Sequence, residues 1–158
     1  MADPTELTSP RRTPRIMGVL NVTPDSFSDG GRYAATDAAI EHGLAMLRDG
    51  ADILDVGGES TRPGATRPLP AEELGRVLPV IEALSAAGAV VSVDTMRSEV
   101  AHAALAAGAA VVNDVSGGLA DPRILDVVAG SDAAYVAMHW RAHAQQMQDF
   151  AVYDGPGG

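Results

Sequence analysis

Residues 88–95 read Gly88-Ala89-Val90-Val91-Ser92-Val93-Asp94-Thr95: a glycine, a short β-branched run, then a polar strand end. The same order begins at Gly50-Ala51-Asp52-Ile53, Gly108-Ala109-Ala110-Val111 and Gly130-Ser131-Asp132-Ala133, each time behind a stretch of helical periodicity. A glycine at such a point supplies the left-handed residue that closes a helix without a Cβ clash. The run behind it is short and apolar, the pattern of a parallel strand covered on both faces. The repeating unit is helix, glycine, strand.

Working outward, each helix can be read from its apolar face. Thr36 reads as the N-cap of a helix that buries Ile40, Leu44 and Leu47. Pro70 opens a second helix with Leu74, Val77, Leu78, Ile81 and Leu84 inward, and Pro79 is expected to kink it. Ser98 reads as the cap of a third, burying Val100, Ala103, Ala104 and Ala107. Asp121-Pro122 gives the cap and first residue of a fourth, burying Ile124, Leu125, Val127 and Val128. With Ile16 to Asn21 as a first strand, five strands alternate with four helices.

Strand starts near Ile16, Ile53, Val90, Val111 and Ala134 recur about every 30 residues. A doubly wound five-stranded sheet would be complete at this length, whereas a (β/α)8 barrel needs roughly 250 residues. The polar residues discriminate between them. A doubly wound sheet gathers its ligand groups at one switch point, but here every strand ends in polar or glycine-rich chemistry: Asn21, Asp55-Val56-Gly57-Gly58, Asp94-Thr95, Asn113-Asp114 and His139. Five such ends suit one shared mouth. The expected fold is α/β, a (β/α)8 TIM barrel truncated after strand five, with residues 1–14 a disordered tail and 15–158 the N-terminal part of the barrel domain.

Composition narrows the chemistry. The 158 residues carry a net charge of -10 and contain no cysteine, which excludes disulfides, thiolate nucleophiles and Cys-ligated metals. All eleven basic residues are arginine, and a pI near 4.6 argues against a nucleic-acid or anionic-membrane surface. A small molecule is the expected partner. No apolar run approaches the roughly 20 residues of a membrane span, and the opening fourteen residues lack a signal-peptide core. A cytoplasmic setting is expected.

Two loops carry candidate chemistry. Asn21-Val22-Thr23-Pro24-Asp25-Ser26-Phe27-Ser28-Asp29-Gly30-Gly31 is a long polar strand-to-helix loop, suited to a lid, in which Phe27 is either a loop anchor or a partner for a ligand ring. Gly57-Gly58-Glu59-Ser60-Thr61-Arg62-Pro63-Gly64-Ala65 joins glycines, hydroxyls and an arginine, the parts of an anion cradle. Asp94 and Asn113 close short strands, and an acceptor carboxylate beside an accepting and donating amide suits an aminopyrimidinone-like edge. Capping of the next loop is the plainer role for either. His139 reads as a core-rim histidine, and Met138 and Trp140 as packing residues.

The segments Met17 to Gly31, Asp55 to Gly64, Val93-Asp94-Thr95 and Val112-Asn113-Asp114 together resemble the dihydropteroate synthase family of pterin-binding (β/α)8 enzymes, and the lysine-free composition resembles an actinobacterial member. The resemblance implies condensation of (7,8-dihydropterin-6-yl)methyl diphosphate with 4-aminobenzoate, giving 7,8-dihydropteroate and diphosphate. It implies Asn21 at a Mg²⁺ borne by the diphosphate, Thr61 and Arg62 at that anion and the aminobenzoate, and Asp94 opposing a pterin-methyl cation. Asn113 would hold the pterin edge, Met138 would lie under the ring, and Phe27, Asp29 and Pro63 would close over the aminobenzoate. It further implies a homodimer. The family's later-strand motifs are absent, so the chain reads as a fragment that is inactive alone. Other classes that fit the same strand ends are a non-catalytic pterin-binding paralogue and the pterin domain of a cobalamin-dependent methyltransferase.

Overall fold

The computed structural model describes residues 7–11, 13–23, 31–60 and 66–139. Its elements run β1 (Met17–Asn21), α1 (Gly31–Arg48), β2 (Ile53–Gly57), α2 (Pro70–Ala86), β3 (Val91–Asp94), α3 (Ser98–Ala106), β4 (Val111–Asp114), α4 (Arg123–Ala129) and β5 (Ala134–Ala137). All neighbouring strands pair in parallel, in the spatial order β1-β2-β3-β4-β5. A strictly sequential order decides the architecture. Right-handed crossovers that always step the same way lay every helix on one face, and α1, α2, α3 and α4 pack on one another in turn. This is the wall of a (β/α)8 barrel, not a doubly wound sheet.

The register sorts the side chains. Leu20, Leu54, Val56, Val91, Val93 and Val112 face the helices and meet Val77, Val80, Ile81, Leu84, Val100, Ala101, Ala104 and Ile124 in one core. Val19, Asp55, Ser92, Val111 and Ala134 form one transverse row on the other face, and Asn21, Gly57, Asp94, Asn113 and Val136 form the next. That inner face corrects the expectation of strands apolar on both sides: Asp55 and Ser92 are buried there. Val19 is 60% exposed at one flank and Val136 41% at the other, on the face that a closed barrel turns inward.

Helix ends follow the glycine reading in three cases out of four. Gly50, Gly88 and Gly108 have φ of 108°, 87° and 110°. Behind them Ala51, Ala89 and Ala109 donate to the carbonyls of Met46, Leu84 and Ala104, the six-residue closure of a Schellman turn. Gly130 departs from the pattern with φ of -83°. There the Ser131 N–H and hydroxyl both donate to the Val128 carbonyl, at 3.0 and 2.8 Å, so backbone and side chain together satisfy the helix end.

Several cap assignments shift. The first helix begins at Gly31, so Thr36 lies inside it. Ser98 is the first helical residue after Arg97, and its N–H and hydroxyl both donate to Asp121 Oδ2, at 2.9 and 2.6 Å. Asp121 is thereby drawn to α3, and Pro122 takes the cap of α4. In α2 the Glu72 carboxylate accepts from the Leu69 N–H at 2.9 Å. The helix runs on past Pro79, which lies on its exposed face. Leu125, expected inward, is exposed, while Ile124 is fully buried. Before β1, Asp52 accepts from the Ile16 N–H at 2.8 Å and lies 3.7 Å from Arg11.

Candidate binding and active site

Strand polarity places the candidate residues at one rim. Asn21, Gly57, Asp94 and Asn113 are register partners at the C-terminal ends of β1 to β4, the end at which barrel enzymes hold their ligands. Asp94 leans over Gly57: a Cβ built there would lie 3.3 Å from Asp94 Oδ2 and 3.4 Å from its Cβ. A glycine at 57 is what allows that approach. Gly58 serves close packing too, since its added Cβ would meet Val77 at 3.0 Å, and its carbonyl accepts from Arg76 Nη1 at 2.7 Å. Both glycines make room for neighbours, and Thr61 to Ala65 of the expected anion cradle lie outside the described residues.

The Asp94 carboxyl is pushed up from 3.8 to about 7. Desolvation by burial is the first cause, followed by repulsion from Asp55, Glu73, Glu59 and Asp114. Every cause acts in the same direction. A cation or a donor-rich ring edge placed against Asp94 would draw it back to the ionised form.

Behind Asp94 lies a bond that the sequence reading did not contain. Asn113 Nδ2 donates to Asp55 Oδ2 at 2.9 Å, reaching from β4 to β2 across β3. The remaining Asp55 oxygen and the neighbouring Ser92 hydroxyl are buried with no hydrogen-bond partner among the described residues. Asp114, one residue on, faces the helices and does different work. Its carboxylate accepts from Ser116 N, Ser116 Oγ, Gly118 N and Tyr135 Oη at 2.7–2.8 Å. It folds the loop after β4; burial first, and then the bond to Asp114, pushes the Tyr135 hydroxyl well above its usual range.

A second buried carboxylate was also missed. Glu73 accepts from Thr95 Oγ1 at 2.6 Å and pairs with Arg97 Nη1. Its signal in the sequence was an acidic residue four places before Val77, on the apolar face of α2.

Of the other expected residues, Asn21 is exposed at the end of β1. Met138 follows β5 with 53% exposure, and His139 is exposed. Phe27, Asp29, Thr61, Arg62, Pro63 and Trp140 lie outside the described residues. Among the described residues no three His, Asp or Glu side chains gather as a metal cage. Asn21 offers one hard amide oxygen, a donor that fits Mg²⁺ held chiefly by substrate phosphates and water. No helix among the described residues is long and apolar enough to cross a membrane.

Fold and rim together define the wall of a (β/α)8 barrel with a polar, carboxylate-bearing rim at the C-terminal ends of its strands. Residues 17–155 match the pterin binding enzyme family, and the chain belongs to it. It is 59% identical over 127 residues to the dihydropteroate synthase of Mycobacterium leprae, covering 80% of this chain and 45% of the relative. A dihydropteroate synthase from Xanthomonas albilineans, solved with 4-aminobenzoic acid, superimposes with a TM-score of 0.74 at 54% identity, over 81% of this chain and 47% of that one. Another from Anaplasma phagocytophilum, solved with 6-hydroxymethylpterin-monophosphate, gives 0.73 at 42% identity, over 81% and 49%. The chain spans just under half the length of these relatives.

Proposed function

We propose that the chain supplies the pterin-holding half of a dihydropteroate synthase, which joins (7,8-dihydropterin-6-yl)methyl diphosphate to 4-aminobenzoate and releases diphosphate and 7,8-dihydropteroate. The observation that carries this reading is the pairing of Asp94 with Asn113 in one row of the inner face, with the Asn113 amide fixed from behind. An accepting carboxylate beside an amide with both capacities matches an aminopyrimidinone edge. The 4-aminobenzoic acid and hydroxymethylpterin monophosphate carried by the Xanthomonas and Anaplasma enzymes support the same pair of substrates.

In the reaction the C–O bond to diphosphate breaks with its electron pair, and the arylamine nitrogen forms the new C–N bond and loses a proton. Positive charge develops on the pterin side. The Asp94 carboxylate opposes it, in surroundings dry enough to raise the pKa of that carboxyl. Asn113 orients the ring. Arg62 and Thr61 are assigned to the departing diphosphate and the aminobenzoate, and Phe27, Asp29 and Pro63 to closure over the aminobenzoate, with Met138 under the pterin. Mg²⁺ held by Asn21 and the phosphate oxygens would neutralise leaving-group charge. A cytoplasmic homodimer belongs to the same proposal.

The test is diphosphate release by the complete protein carrying this chain, assayed with both substrates, with each alone, and after Arg62→Lys. Release that needs both substrates and falls in the variant is expected, because a point ammonium does not reproduce a planar guanidinium fork. Pterin binding without turnover would instead mark a non-catalytic paralogue, and methyl transfer from a methylated pterin would mark the methyltransferase class.

A further inference from the structure

The bond between Asn113 and Asp55 passes over β3, between Ser92 and Asp94. It can do so because Ser92 is small; a longer side chain at that register position would occupy the path. Asp55 is buried on the inner face, one row deeper than the ligand-facing residues, and its second oxygen has no partner among the described residues. An ionised carboxylate only accepts. It therefore selects the orientation of the Asn113 amide in which nitrogen points down and Oδ1 points toward the mouth.

From this geometry we propose that Asp55 is a positioning residue for pterin recognition: it locks the Asn113 amide so that the rim presents a carbonyl acceptor and one remaining N–H to the ring. The inference rests on the reading of the site as a pterin site. It adds that donor and acceptor order at the rim is set by a residue that does not touch the ligand. Asp55 also faces Asp94, and with Glu73, Glu59 and Asp114 it is one of the carboxylates that repel a charge there. One buried side chain thus acts on both groups that meet the heterocycle.

The experiment uses Asp55→Asn and Asp55→Ala in the complete protein, with three readouts: affinity for the pterin diphosphate by calorimetry, the KM for 4-aminobenzoate, and the pH profile of turnover. Asparagine at 55 keeps the volume but lets both amides flip, since each can then donate or accept. Pterin affinity is expected to fall roughly tenfold, the cost of about one charge-assisted hydrogen bond, with the aminobenzoate KM unchanged. The pH midpoint belonging to Asp94 is expected to move down, because one repelling charge is gone. Unchanged pterin affinity together with an unchanged midpoint overturns the inference. So does failure of both variants to fold, which would make Asp55 a structural residue only. A wild-type protein that neither binds the pterin nor forms product sinks the functional reading instead, so the two failures are distinguishable.

Discussion

Glu73, fully buried in the first turn of α2, is paired with the guanidinium of Arg97 in the loop after β3. Arg97 also donates through Nη2 to the Pro68 carbonyl at 2.7 Å, while Thr95 Oγ1 holds the second Glu73 oxygen at 2.6 Å. Three segments are tied together: the approach to α2, its first turn, and the chain that leaves β3 just beyond Asp94. The pair sits behind the rim and fixes the backbone on which Asp94 is carried.

Removing one partner from such a pair leaves the other charge buried without compensation, which costs about 3–5 kcal/mol. Glu73→Gln keeps an acceptor for Thr95 but takes the counter-charge from Arg97. Urea unfolding of the variant should show a loss in that range. A loss under about 1 kcal/mol would mean that water screens the pair as it does at a surface.

Gly50 and Gly108 allow strain and clash to be separated. Their φ angles are nearly the same, 108° and 110°, but a Cβ on Gly50 would meet nothing within 4 Å among the described residues, whereas one on Gly108 would lie 2.3 Å from Ser85 Oγ and 2.9 Å from its Cβ. Gly50→Ala should cost about 1 kcal/mol from backbone conformation alone. Gly108→Ala should cost roughly 1–3 kcal/mol more, since Ser85 must move and its 3.2 Å bond to the Gly108 carbonyl is disturbed. Equal losses in thermal unfolding would show that the α2–α3 contact gives way freely.

The loop after β4 depends on Asp114. Tyr135→Phe removes one of its hydrogen bonds and should cost about 1 kcal/mol. Asp114→Asn should cost more, roughly 2–3 kcal/mol, because an amide turns a donor toward the backbone N–H groups of Ser116 or Gly118 where only acceptors fit. If chemical denaturation ranks the two variants the other way, the carboxylate is not the organising group.

The recurring glycine-to-strand junctions made the strands and their alternation with helices legible, because a left-handed glycine and a β-branched run are local signals. Asp94 and Asn113 stood out because each closes a strand. Asp55 was legible as part of the Asp55-Val56-Gly57-Gly58 strand end, but its reach to Asn113 was not, since only the register across β3 shows that the two share a face. Glu73 and Arg97 lie 24 residues apart, and no local rule joins them. Thr36 misled because Gly30-Gly31 looks like the end of a loop, while the helix starts at Gly31 itself. At the fourth glycine Ser131 closes the helix through both its N–H and its hydroxyl, without a left-handed residue, which propensity does not reveal.

On the proposed reading, the charge of Asp94 is both a stability cost and a catalytic gain. Its carboxyl titrates near 3.8 in an unfolded chain and at about 7 in the fold. Between those values the unfolded state has released the proton and the native state still holds it, so the native state binds more protons and stability falls as pH rises through the interval. Above about 7 both states are ionised and the full penalty remains. Asp94→Asn removes the group that titrates: melting temperature should lose this slope between pH 4 and 7, and at pH 8 the variant should be more stable than the wild type. The same substitution keeps volume and one acceptor oxygen, so in the proposed reaction the pterin should still dock while the charge assigned to face the developing cation is gone. Single-turnover release of diphosphate should fall on the order of a hundredfold, about 3 kcal/mol of transition-state stabilisation. Titration calorimetry with the pterin diphosphate separates the alternatives. A variant less stable at pH 8 with an unchanged slope would show that Asp94 is already ionised throughout pH 4 to 7 in the fold, and a large affinity loss with an unchanged single-turnover rate would leave it a recognition group alone.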